Sequence, residues 1–181
     1  MKITELFKSI EGEGIRTGYV CTFIRTFGCN IRCVYCDSMY SNEVCDDVIL
    51  LDLSIPEIVE ECKKLKTPYV TVTGGEPLIQ KDIDELLIAL LKAGFKVNVE
   101  TNGSVDIKPH RDKVFAVLGP IGCNELFFTI DYKSISSGEN KSMVSMNFDY
   151  NLERRDVVKF VVGTQEDLDN MKKMVKHIRN Y

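Results

Sequence analysis

Tryptophan is missing from this sequence, and histidine occurs only twice in 181 residues. His110 and His177 both lie away from the motifs described below, which argues against histidine-centred catalysis; both read as structural or surface residues. No stretch reaches the roughly 18 apolar residues of a membrane helix. The opening MKITELFKSIEGEG lacks the basic start and apolar run of a secretion signal, so a soluble, cytoplasmic protein is expected. A basic patch is missing too. The 23 Lys and Arg are scattered among 27 Asp and Glu, for a net charge of −4. With no Trp to stack on bases, no nucleic-acid surface is expected and small-molecule or protein partners are favoured. Repeats, low-complexity tracts and linkers are absent, so residues 1–181 are expected to form one domain, with enough apolar residues (44%) for a core that needs no staples.

Short runs rich in β-branched and aromatic residues alternate with helical patterns. Residues 20–27, 69–74, 96–102, 126–133 and 157–163 read as strands. Ser54 and Glu57 have capping-box spacing, and Ile55, Ile58, Val59, Cys62 and Leu65 then recur at helical intervals. A second helix is predicted over 82–92, with Ile83, Leu86, Leu87, Leu90 and Leu91 inward and Gly94 ending it. A third starts near Thr164, with Leu168, Met171, Val175 and Ile178 on one face. Strand, helix, strand at these lengths predicts βαβ units and a parallel sheet, whose chemistry gathers where strands end. The unusual residues sit there: the cysteines of GCNIRCVYCDS (28–38), TGGEP (73–77), ETNG (100–103) and DYK (131–133).

Seven cysteines is an odd count, and Cys29, Cys33 and Cys36 are crowded together, which in a cytosolic chain reads as metal binding before disulfides. A closed zinc site wants four ligands, which Cys45 could complete. A 4Fe–4S cluster takes one thiolate per iron, so three thiolates leave one iron open to bind a substrate or co-substrate. Of the remaining thiols, Cys21 and Cys62 fit a strand core and a helix core, whereas Cys45 and Cys123 read as loop thiols.

The pattern Cys29-x-x-x-Cys33-x-x-Cys36, with Tyr35 before the last thiol, resembles the signature of the radical S-adenosylmethionine (SAM) superfamily. The resemblance implies a partial (β/α)6-type barrel, here short of its last strand. It also implies a 4Fe–4S cluster whose open iron chelates SAM and whose electron cleaves it to a 5′-deoxyadenosyl radical. GGEP resembles the superfamily's second motif, which assigns Gly74, Gly75 and Glu76 to the methionyl amino group. The segment FKSIEGEGIRTGYVCTFIRTFGCNIRCVYCDS, together with ETNG and DYKSISSG, is similar to the 7-carboxy-7-deazaguanine synthases over roughly residues 3–169. These enzymes contract 6-carboxy-5,6,7,8-tetrahydropterin with loss of ammonia, on the way to queuosine and related nucleosides.

By that resemblance Ile10, Glu11, Gly12, Glu13 and Thr73 contact the pterin and Arg25 pairs with its carboxylate. Ser38 binds magnesium, and Tyr35, Cys36, Asp37, Glu100, Asn102 and Lys133 contact SAM. A flavodoxin or ferredoxin as electron donor and a homodimer are implied as well. The sequence departs from the family pattern at Glu11 (usually Gln), Ser38 (usually Thr) and Ser134-Ile135 (often Cys-Pro). It also stops at Tyr181, before the family's sixth strand and the C-terminal segment that reaches substrate. Two other readings stand beside this one. A glycyl-radical-enzyme activase has similar cysteines but no use for the SIEGEG segment. A non-catalytic iron–sulfur or zinc module would not bind SAM and would leave GGEP idle.

Overall fold

In a computed structural model, which describes residues 1–42 and 49–178, the described strands form one seven-stranded sheet. Strand β1 (Lys2–Ile10) pairs antiparallel with β2 (Val20–Thr26), and the two-residue β3 (Leu51–Asp52) flanks β1 on its outer side. From β2 onward the strands are parallel: β4 (Tyr69–Gly74), β5 (Lys96–Thr101), β6 (Leu126–Tyr132) and β7 (Val157–Phe160). The open sheet is a partial barrel, as expected, but β1 and β3 extend it beyond the predicted strands. The last strand is also shorter than predicted, because Val161 and Val162 are exposed beyond its end.

Helices α1 (Ile55–Lys64) and α2 (Ile83–Lys92) follow their sequence signals. Glu57 accepts the Ser54 N–H at 2.8 Å and its hydroxyl at 2.6 Å, which fixes the start of α1. At the end of α2, Gly94 takes φ +88° and lets the Phe95 N–H reach back to the Leu90 carbonyl. Helix α3 (Lys108–Cys123) lies outside the predicted set, its sequence signal masked by the Gly119-Pro120 pair. Pro120 disfavours a helical conformation at the residue before it, and Gly119 leaves the helix at φ +66°. Cys123 therefore ends a helix instead of sitting in a loop. A single turn, α4 (Met146–Asp149), and α5 (Gln165–Ile178) complete the chain described. No described helix is long and apolar enough to cross a membrane.

Period-2 alternation sorts the strand residues between two faces. Ile24, Val70, Val72, Val97, Val99, Phe128 and Ile130 join Ile58, Ile83, Leu86, Leu87 and Leu90 of α1 and α2 in one buried core. Their alternates, Phe23, Arg25, Thr73, Glu100, Thr129, Asp131 and Lys159, line the cavity within the barrel. Cys21 and Cys62 are buried, and burial pushes their thiols to about 11 and about 12, which leaves both inert.

The β1–β2 connection folds beneath the N-terminal ends of the strands and closes that end of the barrel. Arg16 donates to the Lys96 carbonyl at 2.9 Å, its guanidinium 4.9 Å from the Tyr69 ring centre and 4.5 Å from that of Phe127. Gly14, at φ +65°, touches both β6 and β7: a Cβ there would meet Thr129 Oγ1 and a methyl of Val157, each at 3.6 Å. This plug carries Glu11 and Glu13. Thr71 Oγ1 donates to Glu11 at 2.7 Å, and Lys159 Nζ lies 2.8 Å from Glu13.

Candidate functional site

The three clustered cysteines share one cavity of about 410 Å³, within the usual size of a small-molecule site. Their loop leaves β2 and is held by neighbours on both sides. The Gly28 N–H donates to the Ser41 carbonyl at 2.7 Å, and the Val34 N–H to the Ser137 carbonyl at 2.9 Å. The Arg32 N–H donates to Glu139 Oε1 at 2.8 Å. The segment SISSGE after β6 thus clamps the cysteine loop from outside.

GGEP clamps it from within. The Gly75 N–H reaches the Thr26 carbonyl at 3.2 Å, and the Glu76 N–H reaches that of Gly28 at 2.8 Å. A Cβ on Gly75 would lie 2.1 Å from the Gly28 oxygen, so here the missing side chain admits the protein's own backbone. Glu76 is fully buried. Its carboxylate accepts from Thr101 Oγ1 (2.9 Å), the Asn102 N–H (2.7 Å) and the Leu78 N–H (2.9 Å), joining the loops after β4 and β5.

Amide groups also reach the thiols. Asn102 Nδ2 lies 3.5 Å from Cys29 Sγ, and Asn42 Nδ2 lies 3.9 Å from Cys36 Sγ. Burial raises the pKa of Cys29 and Cys33, opposed at Cys29 by the Ile31 N–H and the Asn102 amide and at Cys33 by Lys133. Among the described residues, no three His, Cys, Asp or Glu side chains converge on one ion. A cubane makes no such demand, since each thiolate holds a different iron. Three thiols around a cavity, with amide donors to two of them, therefore fit a 4Fe–4S cluster. Among the described residues, the buried oxygens Asn42 Oδ1 and Asp131 Oδ1 of the cavity wall have no hydrogen-bond partner, as a wall built for a polar ligand would leave them.

Most of the expected site residues meet in this cavity: the three cysteines, Tyr35, Asp37, Ser38, Gly74, Gly75, Glu100, Asn102 and Lys133, with Glu13, Arg25 and Thr73. Four do not line it. Ile10 ends β1 65% exposed, and Gly12 also stands outside the wall. Glu11 is buried in the plug against Thr71, and Glu76 is buried behind the glycines. Cys45 lies outside the described residues.

Several members of the wall carried no role in the sequence reading, among them Asn42, Asp131 and Lys159. A lone charge in an apolar strand was the available signal for Lys159. His110 and His177 are where a structural role puts them, 2.6 Å from Asp84 and 2.5 Å from Asp149.

Two carboxyls of the site are protonated more easily than ordinary ones. Burial pushes Glu76 to about 7 against its three donors and Lys133. Burial pushes Glu100 to about 6, assisted by Glu11 and Glu13 and opposed by Thr73, which donates to it at 2.8 Å. The folded state thus retains protons that the unfolded chain releases near 4.5. The associated stability is complete below that value and is lost as pH rises through about 6 to 7. Urea denaturation of the metal-free protein should give a lower midpoint at about pH 7.5 than at about pH 5.5, and Glu100→Gln should flatten part of that slope. A midpoint that rises over this interval would contradict the assignment.

The sequence profile of the radical SAM superfamily matches residues 23–180. The 7-carboxy-7-deazaguanine synthase of Methanospirillum hungatei is 40% identical over 176 residues, covering 97% of this chain and 67% of that protein. Its counterpart from Clostridium acetobutylicum is also 40% identical, over 92% of this chain and 71% of its own length. Among solved structures, QueE from Escherichia coli superposes with a TM-score of 0.64 at 23% identity, over 97% of this chain and 77% of that one, a likeness of fold. The cysteine loop, its inner and outer clamps and a match to both relatives over more than nine-tenths of its length coincide in one chain, which belongs to the radical SAM superfamily and, within it, to the 7-carboxy-7-deazaguanine synthase family.

Proposed function

We infer that this cavity carries out the 7-carboxy-7-deazaguanine synthase reaction, contracting 6-carboxy-5,6,7,8-tetrahydropterin to 7-carboxy-7-deazaguanine with release of ammonia. The observation that carries the reading is the union, in one cavity, of three clustered thiols with a wall of Arg25, Thr73, Glu100 and Glu13. That wall suits a flat, polar anion. The Glu13 carboxylate can accept from ring and amino N–H groups of a pterin, and a guanidinium matches its carboxylate.

Membership of the superfamily implies a 4Fe–4S cluster and SAM. When bound, they supply a 5′-deoxyadenosyl radical that takes and later returns a hydrogen atom. Cys29, Cys33 and Cys36 would hold the cluster. Lys133 would face the SAM carboxylate, and Tyr35, Asp37, Gly74, Gly75, Glu100 and Asn102 would hold the rest of that molecule. Glu76 contributes from behind the wall by fixing the loop of Asn102.

Arg25 is held by Glu5 at 2.7 Å, which orients its guanidinium for the pterin carboxylate. Ser38, whose hydroxyl is 3.2 Å from Asp37 Oδ1, offers the hard oxygen that magnesium prefers, and a magnesium ion there would share the pterin carboxylate with Arg25. A flavodoxin or ferredoxin as electron donor and a homodimeric assembly belong to the same proposal.

The test is anaerobic reconstitution with iron and sulfide, followed by incubation with the carboxytetrahydropterin, SAM, magnesium and a reductant. Mass spectrometry should show 7-carboxy-7-deazaguanine. If only 5′-deoxyadenosine forms, the radical chemistry stands and the substrate assignment falls. The activase reading gains only if a protein backbone takes the radical in place of the pterin.

A further inference from the structure

Lys159 is the only charged residue of β7, and strand parity decides where it goes. Val158 and Phe160 pack against the core, so Lys159 joins the cavity wall beside Asp131, its register partner on β6. Its Nζ lies 2.8 Å from Glu13 Oε2 and 3.6 Å from Asp131 Oδ2, and the same Asp131 oxygen holds Lys133 Nζ at 2.8 Å. Charges therefore alternate from the plug to the loop after β6: Glu13, Lys159, Asp131, Lys133.

An exposed ion pair contributes little, but this one is partly shielded, with a third of the Lys159 side chain reaching solvent. Glu13 makes no other polar contact among the described residues, so Lys159 alone fixes its direction and Oε1 is left able to accept from a ligand. The neighbouring Gly14 already touches β7, which keeps the Glu13 backbone in place while its side chain depends on the ammonium.

We propose that Lys159 is a substrate-positioning residue: anchored by Asp131, it turns the Glu13 carboxylate toward the N–H edge of the pterin. This rests on the reading that the pterin occupies this end of the cavity. Lys159 acts through Glu13, so its removal should impair pterin recognition and spare SAM recognition.

The experiment measures equilibrium binding to the reconstituted protein without reductant, so that nothing turns over, with the carboxytetrahydropterin and SAM as separate probes. Lys159→Met should raise the pterin Kd about 10- to 100-fold. SAM affinity should stay within about twofold, and Lys159→Arg should restore most of the pterin binding. On a Glu13→Gln background, Lys159→Met should cause little further loss, since the residue it orients is already disabled. Wild-type pterin affinity in Lys159→Met, an equal loss of SAM affinity, or a full additional loss on the Glu13→Gln background would each overturn the proposal alone. A wild-type protein that binds SAM and no pterin would overturn the functional reading, and this proposal with it.

Discussion

Replacing Cys33 with alanine is expected to abolish turnover, by more than about 100-fold, and to leave the fold standing. The magnitude follows from the role of the thiol. Changing a group that merely supports a metal ligand costs 10- to 100-fold, and a direct ligand costs more. The fold should survive because Cys33 is only half-buried, in a loop held by backbone bonds at Gly28 and Val34 that alanine retains. The variant should refold, lose the broad visible absorption of a 4Fe–4S cluster after reconstitution, and form no 5′-deoxyadenosine. Cys123→Ser, at the end of α3 and away from the cavity, serves as the control and should keep cluster and activity. Product formed at an unchanged rate by fully metallated Cys33→Ala protein would falsify the radical mechanism. Cys45→Ser bears on the four-thiol zinc reading: if metal is lost from that variant, zinc regains its case.

Gly75→Ala should damage this protein severely, although it adds a single methyl group. Its Cβ would sit 2.1 Å from the Gly28 carbonyl oxygen, 2.4 Å from the carbonyl carbon and 2.6 Å from Asn42 Oδ1. Two of these atoms are backbone, and Gly28 is tied to Ser41 and Glu76 by hydrogen bonds, so relief requires moving the start of the cysteine loop. Overpacking of this kind costs about 3 kcal/mol, equivalent to a fall in Tm of about 6–12 °C for a chain of this length. Cluster retention should fail with it, because the displaced segment leads directly to Cys29. Gly12→Ala is the comparison. No atom lies within 4 Å of its added Cβ, so its stability should change by less than about 0.5 kcal/mol. Equal Tm values for the two variants would refute this account of GGEP.

The cysteine spacing was readable because its chemistry is local: three thiols within eight positions reach one object whatever the rest of the chain does. The capping box at Ser54 and Glu57 and the apolar face of α2 were equally local, and both appear where the pattern put them. Strand β1 was not readable. Its charges and a bulge between Ile3 and Glu5 break the alternation, as befits a strand near a sheet edge. Helix α3 was hidden by Gly119 and Pro120, which read as a stop although the chain resumes its helix after a kink.

Sequence by itself determined the spacing of the thiols, the parallel character of the sheet and the parity that turns Arg25, Thr73 and Glu100 to one face, because spacing and period are properties of the chain alone. Only tertiary structure decided which of those groups share a wall. It buried Glu76 behind the glycines and Glu11 in the plug, left Ile10 exposed, and brought Lys159 to Glu13 across 146 positions of sequence. The physical reason is that parity fixes the face of a residue, whereas its neighbour depends on how far the sheet curls. Here the β1–β2 connection, pinned by Arg16 between two rings and by Gly14 against β7, sets the neighbours by joining the first hairpin to the last strand.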